Sequence, residues 1–408
     1  MSREPHICGG TCDVVIVGGG AAGLSLAHRL TESFSPTVTL VEAPDGALRP
    51  PERTWCYWDR GTADFDEAVS ASWTRLRVRG TDGRAITVNP SPLTYRMLRS
   101  TDFERLVHHR LGTCPGVRVL CATADLVRNT ADGAEVRCTS PDGKTLWLRA
   151  RHVFDSRPRR TLPPARTRLL QHFRGWFVRT ETDRFDPEVA DLMDFRVPQP
   201  RHGLAFGYVL PLAPDRALVE YTEFSRTALT TEAYEAALAH YCRDILRLDT
   251  FTVESAEQGV IPMTDARFAR QVGPAVFRVG TAGGATRPAT GYTFAAVQRQ
   301  SRAIAAALHA GRLVVPPPHG RRALAMDAVL LRALDEGRIN GPDFFTDLFR
   351  RVPPERLLRF LDGDTSLREE WSIGLRTPVG PMLRTAVELL FLPRRRSLPL
   401  LRTGESHR

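Results

Sequence analysis

A glycine-rich turn between a predicted strand and a predicted helix constrains this 408-residue chain more than any other feature. A β-branched run from Asp13 ends in Gly18, and Gly20 and Gly23 then lead into a helical pattern with small residues on one face. Glu42 follows nineteen residues after the last glycine, at the end of a second buried strand pattern. Glycines here permit a tight turn and the close approach of a pyrophosphate, while the acid suits ribose hydroxyls. The spacing predicts a βαβ dinucleotide-binding unit with Gly18, Gly20, Gly23 and Glu42 as binding residues.

A second glycine-rich junction, residues 280–294, lies far along the chain and leads into a predicted helix at 294–309. It carries Gly280, Gly283, Gly284 and Gly291. A domain that binds NAD alone does not need this second element, so the two junctions together favour FAD. An ordinary loop between a strand and a helix is the alternative for the second junction. Asp155, at the end of another predicted strand, fits either a backbone contact with the cofactor or a turn cap.

The composition is that of a globular protein. Hydrophobic residues make up 42% and charged residues 25%, which excludes a disordered acidic chain, a collagen-like fibre and a coiled coil. A net charge of +10 favours an anionic partner, and we expect a bilayer surface rather than nucleic acid because no nucleic-acid-binding module is recognisable. Seven irregularly spaced cysteines indicate a reducing compartment, and no metal site is expected. Neither a spanning helix nor a signal peptide is predicted.

Further stretches match those of one known family in order. Beyond the run 13–30, they are residues 53–58, 153–157, 171–176, 192–195, 208–212, 216–222, 259–263, 280–294 and 360–362. Over about residues 13–385 the chain resembles the lycopene cyclase family, specifically the bacterial FAD-dependent lycopene β-cyclases. The flavin motifs alone also fit flavin hydroxylases and geranylgeranyl reductases.

This resemblance implies a defined reaction. The family converts the acyclic ψ end groups of lycopene to β rings, giving γ-carotene and then β-carotene, with no net redox change. It requires reduced FAD, with NADPH as the usual electron donor. The alternatives are an FAD-dependent monooxygenase or polyprenyl reductase, and a non-catalytic, membrane-associated flavin- or carotenoid-binding protein.

The resemblance also assigns a catalytic acid. Glu220 matches the first glutamate of the family motif phenylalanine–leucine–glutamate–glutamate–threonine, which carries acid/base function, and Tyr221 stands where plant members have the second. Strand alternation puts Glu220 and Glu223 on opposite faces, so a carboxyl pair is not expected here. A solvent-facing strand glutamate is the alternative for Glu220 and the preferred interpretation of Glu223.

Aromatic residues and a basic helical tail complete the candidate sites. Trp55, Trp58, Tyr292 and Phe294 are candidates to line the substrate or flavin channel, and core packing is the alternative. The tail near residues 382–396 mixes apolar residues with arginines, which suits an anionic membrane interface. A helix that merely covers a domain is the alternative. We expect a cytoplasmic protein, peripheral at the inner face of the plasma membrane.

Together these patterns predict an α/β flavoprotein. A Rossmann-type FAD-binding domain is expected from residues 13–170 and 270–310, with an inserted β-rich substrate domain at 171–269. A helical C-terminal region with a basic tail is expected at 311–408, and a flexible tail at 1–12.

Overall fold

The computed structural model describes residues 6–33, 36–46, 48–61 and 64–396. The strands in chain order are β1 (His6–Val17), β2 (Val38–Glu42), β3 (Thr54–Asp59), β4 (Val69–Trp73), β5 (Arg75–Arg79), β6 (Ala85–Val88), β7 (Thr94–Arg99), β8 (Val117–Cys121), β9 (Thr123–Thr130), β10 (Gly133–Thr139), β11 (Thr145–Asp155), β12 (Arg168–Thr180), β13 (Val189–Asp194), β14 (Leu204–Ala213), β15 (Arg216–Ser225), β16 (Phe251–Thr264) and β17 (Val276–Arg278). The helices are α1 (Ala21–Ser33), α2 (Ser100–Gly112), α3 (Thr231–His240), α4 (Phe294–His309), α5 (Arg321–Asp335), α6 (Gly341–Arg351), α7 (Pro354–Asp362), α8 (Leu367–Gly374) and α9 (Val379–Phe391).

The first large sheet contains the glycine-rich unit. Its strand order is β8-β2-β1-β11-β10-β9, and β17 also pairs with β11. The pairs β8–β2, β2–β1, β1–β11 and β11–β17 are parallel, whereas β9 and β10 add an antiparallel edge. Val14, Val15 and Ile16 are fully buried in β1, as expected for a central parallel strand. Apolar residues of α1, α2 and α4 form one core cluster with this sheet.

The second large sheet has the order β16-β12-β15-β14-β13-β5-β6. Its pairs are antiparallel except for the parallel pair β13–β5. One face packs against α3, with Val219, Tyr221 and Tyr234 in a common core. On the other face, Leu218 and Phe224 share a core with the C-terminal helices, including Phe345 of α6. Strands β3, β7 and β4 form a third, smaller sheet.

The boundaries differ from the sequence-based expectation at two places. Strands β5 and β6 belong to the second sheet, whereas the expectation assigns residues 13–170 to the FAD-binding domain. The reason is that an alternating pattern predicts a strand but does not show which sheet the strand joins. Residues 6–12, expected within a flexible tail, extend β1 instead, and their backbone runs beside β11. Residues 1–5 and the basic tail at 397–408 lie outside the described residues.

The C-terminal region from 311 to 396 is helical, as its apolar spacing predicts. Local capping explains where several helices begin and end. Asn340 caps α6 by accepting a hydrogen bond from the Asp343 amide at 3.0 Å, and Ser366 and Glu369 form a capping box on α8. Gly363 ends α7 with a φ of 77°, a left-handed conformation that favours glycine.

Candidate active site

A large cavity runs from the glycine-rich turn to the second sheet. Its volume is about 2690 Å³, and its lining comes from the β1–α1 turn, residues 280–294, strands β12, β15 and β16, and the C-terminal helices. Of the candidate site residues, those that line it are Gly18, Gly20, Glu42, Trp55, Asp155, Glu220, Gly280, Gly283, Gly284, Gly291, Tyr292 and Phe294. Gly23 and Trp58 are not among the lining residues.

The β1–α1 turn is packed so closely that Gly18 and Gly23 leave no room for a side chain. Gly18 has a φ of 105°, and a Cβ there would lie 2.5 Å from Ser156 Oγ. Gly23 sits directly beneath the turn, since a Cβ on it would overlap the Gly18 carbonyl oxygen. The amino end of α1 therefore opens into the cavity, an arrangement suited to a phosphate. Glu42 also faces the cavity, and its Oε1 lies 3.2 Å from His108 Nε2, which raises the pKa of that histidine.

The second glycine-rich junction forms another part of the wall. Gly280, Gly284 and Gly291 all have positive φ. A Cβ on Gly291 would overlap Gln171 Oε1, a buried oxygen that has no hydrogen-bond partner in the part of the chain that the structure describes. This acceptor is therefore available to a hydrogen-bond donor of a molecule bound in the cavity.

Asp155 makes the contacts of a turn cap. Its Oδ1 accepts a hydrogen bond from the Arg157 amide at 3.1 Å, and its Oδ2 lies 2.8 Å from Arg157 Nη2. Its backbone oxygen accepts from the Val279 amide at 3.1 Å, which ties β11 to the second junction. The observed contacts therefore correspond to the turn-cap alternative, beside the cavity.

Glu220 is buried in the cavity wall rather than solvent-facing. It is 8% exposed, and Thr222 Oγ1 donates a hydrogen bond to its Oε1 at 2.5 Å. Burial, helped by the nearby charge of Glu257 and opposed by the Thr222 hydrogen bond, raises the pKa of Glu220 to about 8. The side chain therefore carries a proton at neutral pH, so it can act as a general acid.

A second buried carboxyl, Glu257, was missed by the sequence analysis. It lies on β16 and lines the same cavity, and Thr54 Oγ1 donates to its Oε2 at 2.8 Å. Burial raises its pKa to about 7, opposed by Thr54 and by the charge of Arg99. Alternation along β15 relates Glu220 only to residues of its own strand, whereas Glu257 lies two strands away in the sheet. The sequence does contain one indication, Gly175 of β12, because a glycine inside a strand often marks a place where neighbouring groups approach the backbone closely.

Glu223 lies on the opposite face of β15 from Glu220, as strand alternation predicts. It accepts a hydrogen bond from the Tyr221 hydroxyl at 3.3 Å, on the side that packs against α3. It does not line the cavity, but it is buried, so the interpretation of Glu223 as a solvent-facing glutamate was wrong: the packing of α3 against this face of the sheet covers it.

The aromatic candidates divide between the cavity wall and the core behind it. Trp55 stacks on Phe294 at a centroid distance of 5.7 Å, and both line the cavity. Trp58 instead lies behind the wall, edge-on to Tyr292 at 4.5 Å, so its role is core packing. The Tyr95 hydroxyl lies 2.6 Å from that of Tyr208 and 3.3 Å from that of Tyr292.

An apolar surface on α8 and α9 lies outside the cavity. We define the α8–α9 face as the exposed apolar residues Leu367, Trp371, Leu375, Val379, Leu383, Val387, Leu390 and Phe391. Trp371 is 71% exposed, Leu390 75% and Phe391 81%. Just beyond α9, Arg394 lines the cavity and pairs with Asp265 at 3.3 Å, so this face ends near the cavity.

None of the described helices has the length and apolar character required to cross a membrane. Among the described residues, no group of three or more His, Cys, Asp or Glu side chains is arranged to hold a metal ion.

Comparisons with known proteins identify a family and a fold. The family model described as lycopene cyclase protein matches residues 13–387. No curated protein matches the sequence.

Three solved structures illustrate the fold. A geranylgeranyl bacteriochlorophyll reductase-like protein from Thermoplasma acidophilum has a TM-score of 0.61 and 13% identity, over 94% of this chain and 99% of that one. A p-nitrophenol 4-monooxygenase from Pseudomonas putida has a TM-score of 0.58 and 16% identity, over 95% and 99%. A flavoprotein/dehydrogenase from Cytophaga hutchinsonii has a TM-score of 0.63 and 12% identity, over 93% and 100%. At these identities the likeness concerns the fold, and it confirms the predicted α/β fold class with a Rossmann-type domain.

Proposed function

This chain belongs to the lycopene cyclase family, and on that premise we propose that it is an FAD-dependent lycopene β-cyclase. It would convert the ψ end groups of lycopene to β rings, giving γ-carotene and then β-carotene without net redox change. The observation that carries the proposal is Glu220, a buried carboxyl with a pKa of about 8 in a cavity that also contains both glycine-rich junctions.

The cavity fits FAD as the cofactor. The β1–α1 turn and the amino end of α1 would hold the pyrophosphate, Glu42 the ribose, and residues 280–294 the flavin end. The unpaired Gln171 Oε1 offers a hydrogen-bond acceptor there. When bound and reduced, FAD supplies negative charge that stabilises a nearby carbocation. We propose NADPH as the electron donor.

Glu220 would begin the cyclisation by giving its proton to C2 of a ψ end group. The positive charge then lies on C1, the C5=C6 double bond closes the C1–C6 bond, and loss of the C6 proton leaves the β ring. Trp55, Tyr292 and Phe294 provide an apolar aromatic wall for the polyene end. Such a wall excludes water, which would otherwise capture the cation.

The α8–α9 face supports a peripheral contact with an anionic membrane at its cytoplasmic side. Lycopene is a hydrocarbon that resides in the bilayer, so a cyclase has to obtain it there. Large apolar residues such as Leu390 and Phe391 would insert at the interface, and the net charge of +10 would favour an anionic lipid surface.

Two rival functions are separable from this one by experiment. A monooxygenase or polyprenyl reductase would oxidise NADPH in proportion to product, whereas a cyclase would not. A carotenoid-binding protein without turnover would be indifferent to Glu220→Gln. The test is expression of the wild type and of Glu220→Gln in a lycopene-producing host, followed by pigment chromatography. We expect β-carotene with the wild type and lycopene with the variant; lycopene alone in both strains would overturn the proposal.

A further inference from the structure

Four residues form one row across the second sheet. In the strand register, Tyr208 of β14 stands opposite Glu220 of β15, Glu220 opposite Gly175 of β12, and Gly175 opposite Glu257 of β16. Residues opposite each other in a sheet point to the same face, so both carboxyls project from the cavity face. Both line the cavity.

Gly175 has no side chain, and the side chains of Leu218, Glu220 and Glu257 close over it. A Cβ on it would lie 3.6 Å from Glu220 Cβ, 3.5 Å from Glu257 Cγ and 2.8 Å from Leu218 Cδ1. Strands β15 and β16 are two spacings apart, or about 10 Å, since neighbouring strands lie about 4.8 Å apart. The two glutamate side chains both approach Gly175, so they flank this glycine on the cavity face of the sheet.

We propose that Glu257 is the base that removes the C6 proton and that Glu220 is the acid, the two carboxyls facing the same cavity from either side of Gly175. This inference rests on the proposed cyclase function and adds a second catalytic residue to it. C2 and C6 are both bonded to C1, so the site of protonation and the site of deprotonation lie on the same small ring.

The step balances without an oxidant or a reductant. The Glu220 O–H bond breaks, and the C1=C2 π electrons form the new C2–H bond, which leaves the positive charge on C1. The C5=C6 π electrons form the C1–C6 bond and leave the charge on C5. The C6–H bond then breaks, its electrons form C5=C6, and its proton bonds to Glu257. Loss of this proton from Glu257 to water, and uptake of one proton from water by Glu220, restore the starting state.

The groups around the two carboxyls favour a protonated Glu220 and an ionised Glu257. Burial raises both pKa values, but Thr54 and the charge of Arg99 favour ionised Glu257, and the charge of Glu257 raises the pKa of Glu220 further. The other ionisable groups near the pair are Glu52, Cys56, Tyr95, Tyr208, Tyr234 and Tyr292. Burial raises the pKa of Cys56 to about 12 and those of the four tyrosines well above their usual value, so these five groups stay neutral at neutral pH.

The experiment uses the FAD-loaded enzyme and the variants Glu257→Gln, Glu257→Asp and Glu223→Gln. Infrared difference titration follows the protonated carboxyl that is absent from Glu220→Gln. Its midpoint should move to lower pH in Glu257→Gln, because the replacement removes a negative charge. With reduced flavin and lycopene vesicles, Glu257→Gln should lose about 100-fold or more of the rate of β-ring formation. Glu257→Asp, which keeps a carboxylate, should recover at least tenfold of that loss.

Glu223→Gln is the matched control, since Glu223 is a buried glutamate on the other face of β15. It should leave the rate of ring formation within a few-fold and the Glu220 midpoint unmoved. An unmoved midpoint in Glu257→Gln, a rate within a few-fold of the wild type, or no advantage of Asp over Gln would each overturn the proposal. A wild type that forms no ring defeats the cyclase function itself; a cyclising wild type with any of those three results defeats only the role of Glu257.

Discussion

Arg287 and Asp327 form a buried ion pair, with 2.8 Å between Nη2 of the arginine and Oδ1 of the aspartate. Arg287 lies within the second glycine-rich junction and Asp327 on α5, and both side chains are almost fully buried. The pair therefore fastens the cavity wall to the helical C-terminal region.

Removing one member of this pair should destabilise the fold. Asp327→Asn leaves the arginine charge buried without its counter-charge, and breaking a buried pair in this way costs about 3 kcal/mol. Denaturant unfolding of the FAD-loaded protein measures the free energy of unfolding. Asp102→Asn is the control, since it removes an exposed helix pair with Arg105 and should cost under about 1 kcal/mol. Equal effects of the two substitutions would contradict this role for the pair.

Gly291→Ala should weaken flavin binding. The added methyl would overlap Gln171 Oε1, and the glycine φ of 73° disfavours any side chain. We expect the dissociation constant for FAD, measured by quenching of flavin fluorescence, to rise about tenfold or more. Gly374→Ala is the matched control, because nothing lies within 4 Å of the added carbon and its backbone needs no positive φ. Unchanged affinity in Gly291→Ala would show that the flavin does not approach this junction.

The rate of ring formation should fall at high pH. Glu220 acts as an acid only while protonated, and its pKa is raised to about 8. The value of kcat/KM should therefore decline about tenfold per pH unit above about 8. Thr222→Val removes a hydrogen bond that lowers this pKa, so it should move the decline to higher pH. A decline that shifts to lower pH, or that is unaffected by this substitution, would contradict the assignment of Glu220.

Glu220 should also make stability depend on pH. Its folded-state pKa is raised, so the folded protein keeps a proton that the unfolded chain releases, and stability falls as pH rises from about 4.5 to about 8. Glu220→Gln removes this loss. At pH 9 the variant should be more stable than the wild type by roughly 2 kcal/mol or more, with a smaller difference at pH 5. Denaturant unfolding at the two pH values is the measurement, and a difference that does not depend on pH would contradict it.

The α8–α9 face should govern membrane binding. Replacing Leu390 and Phe391 by serine removes two large exposed apolar side chains, each worth about 1.5 kcal/mol or more when inserted. Sedimentation with anionic vesicles should show at least a tenfold loss of affinity. Val253→Ser, at an exposed apolar residue of β16, is the control and should bind as the wild type does. Equal binding by all three proteins would place the contact elsewhere.

Local patterns predicted much of this molecule. The β1–α1 turn and α4 could be predicted from the sequence because glycine spacing and apolar periodicity over adjacent residues specify them. The pairing of Glu220 with Glu257 could not, since it depends on the register of three strands brought together by the fold. Trp55 and Trp58 are three residues apart on β3, so strand alternation places them on opposite faces. Which of the two faces borders the cavity could not be predicted, because it depends on how this small sheet packs against the rest of the fold.

If Glu220 starts the cyclisation by protonating C2 without net redox change, the hydrogen that enters the product comes from an exchangeable carboxyl. The FAD-loaded enzyme, with its flavin reduced, is supplied with lycopene vesicles in D₂O, and the carotenoid is analysed by mass spectrometry and NMR while NADPH is monitored. We expect one deuterium at C2 of each β ring, no oxidation of NADPH in proportion to the rings formed, and no labelled ring from Glu220→Gln. Rings without deuterium, or one NADPH oxidised for every product formed, would contradict this mechanism.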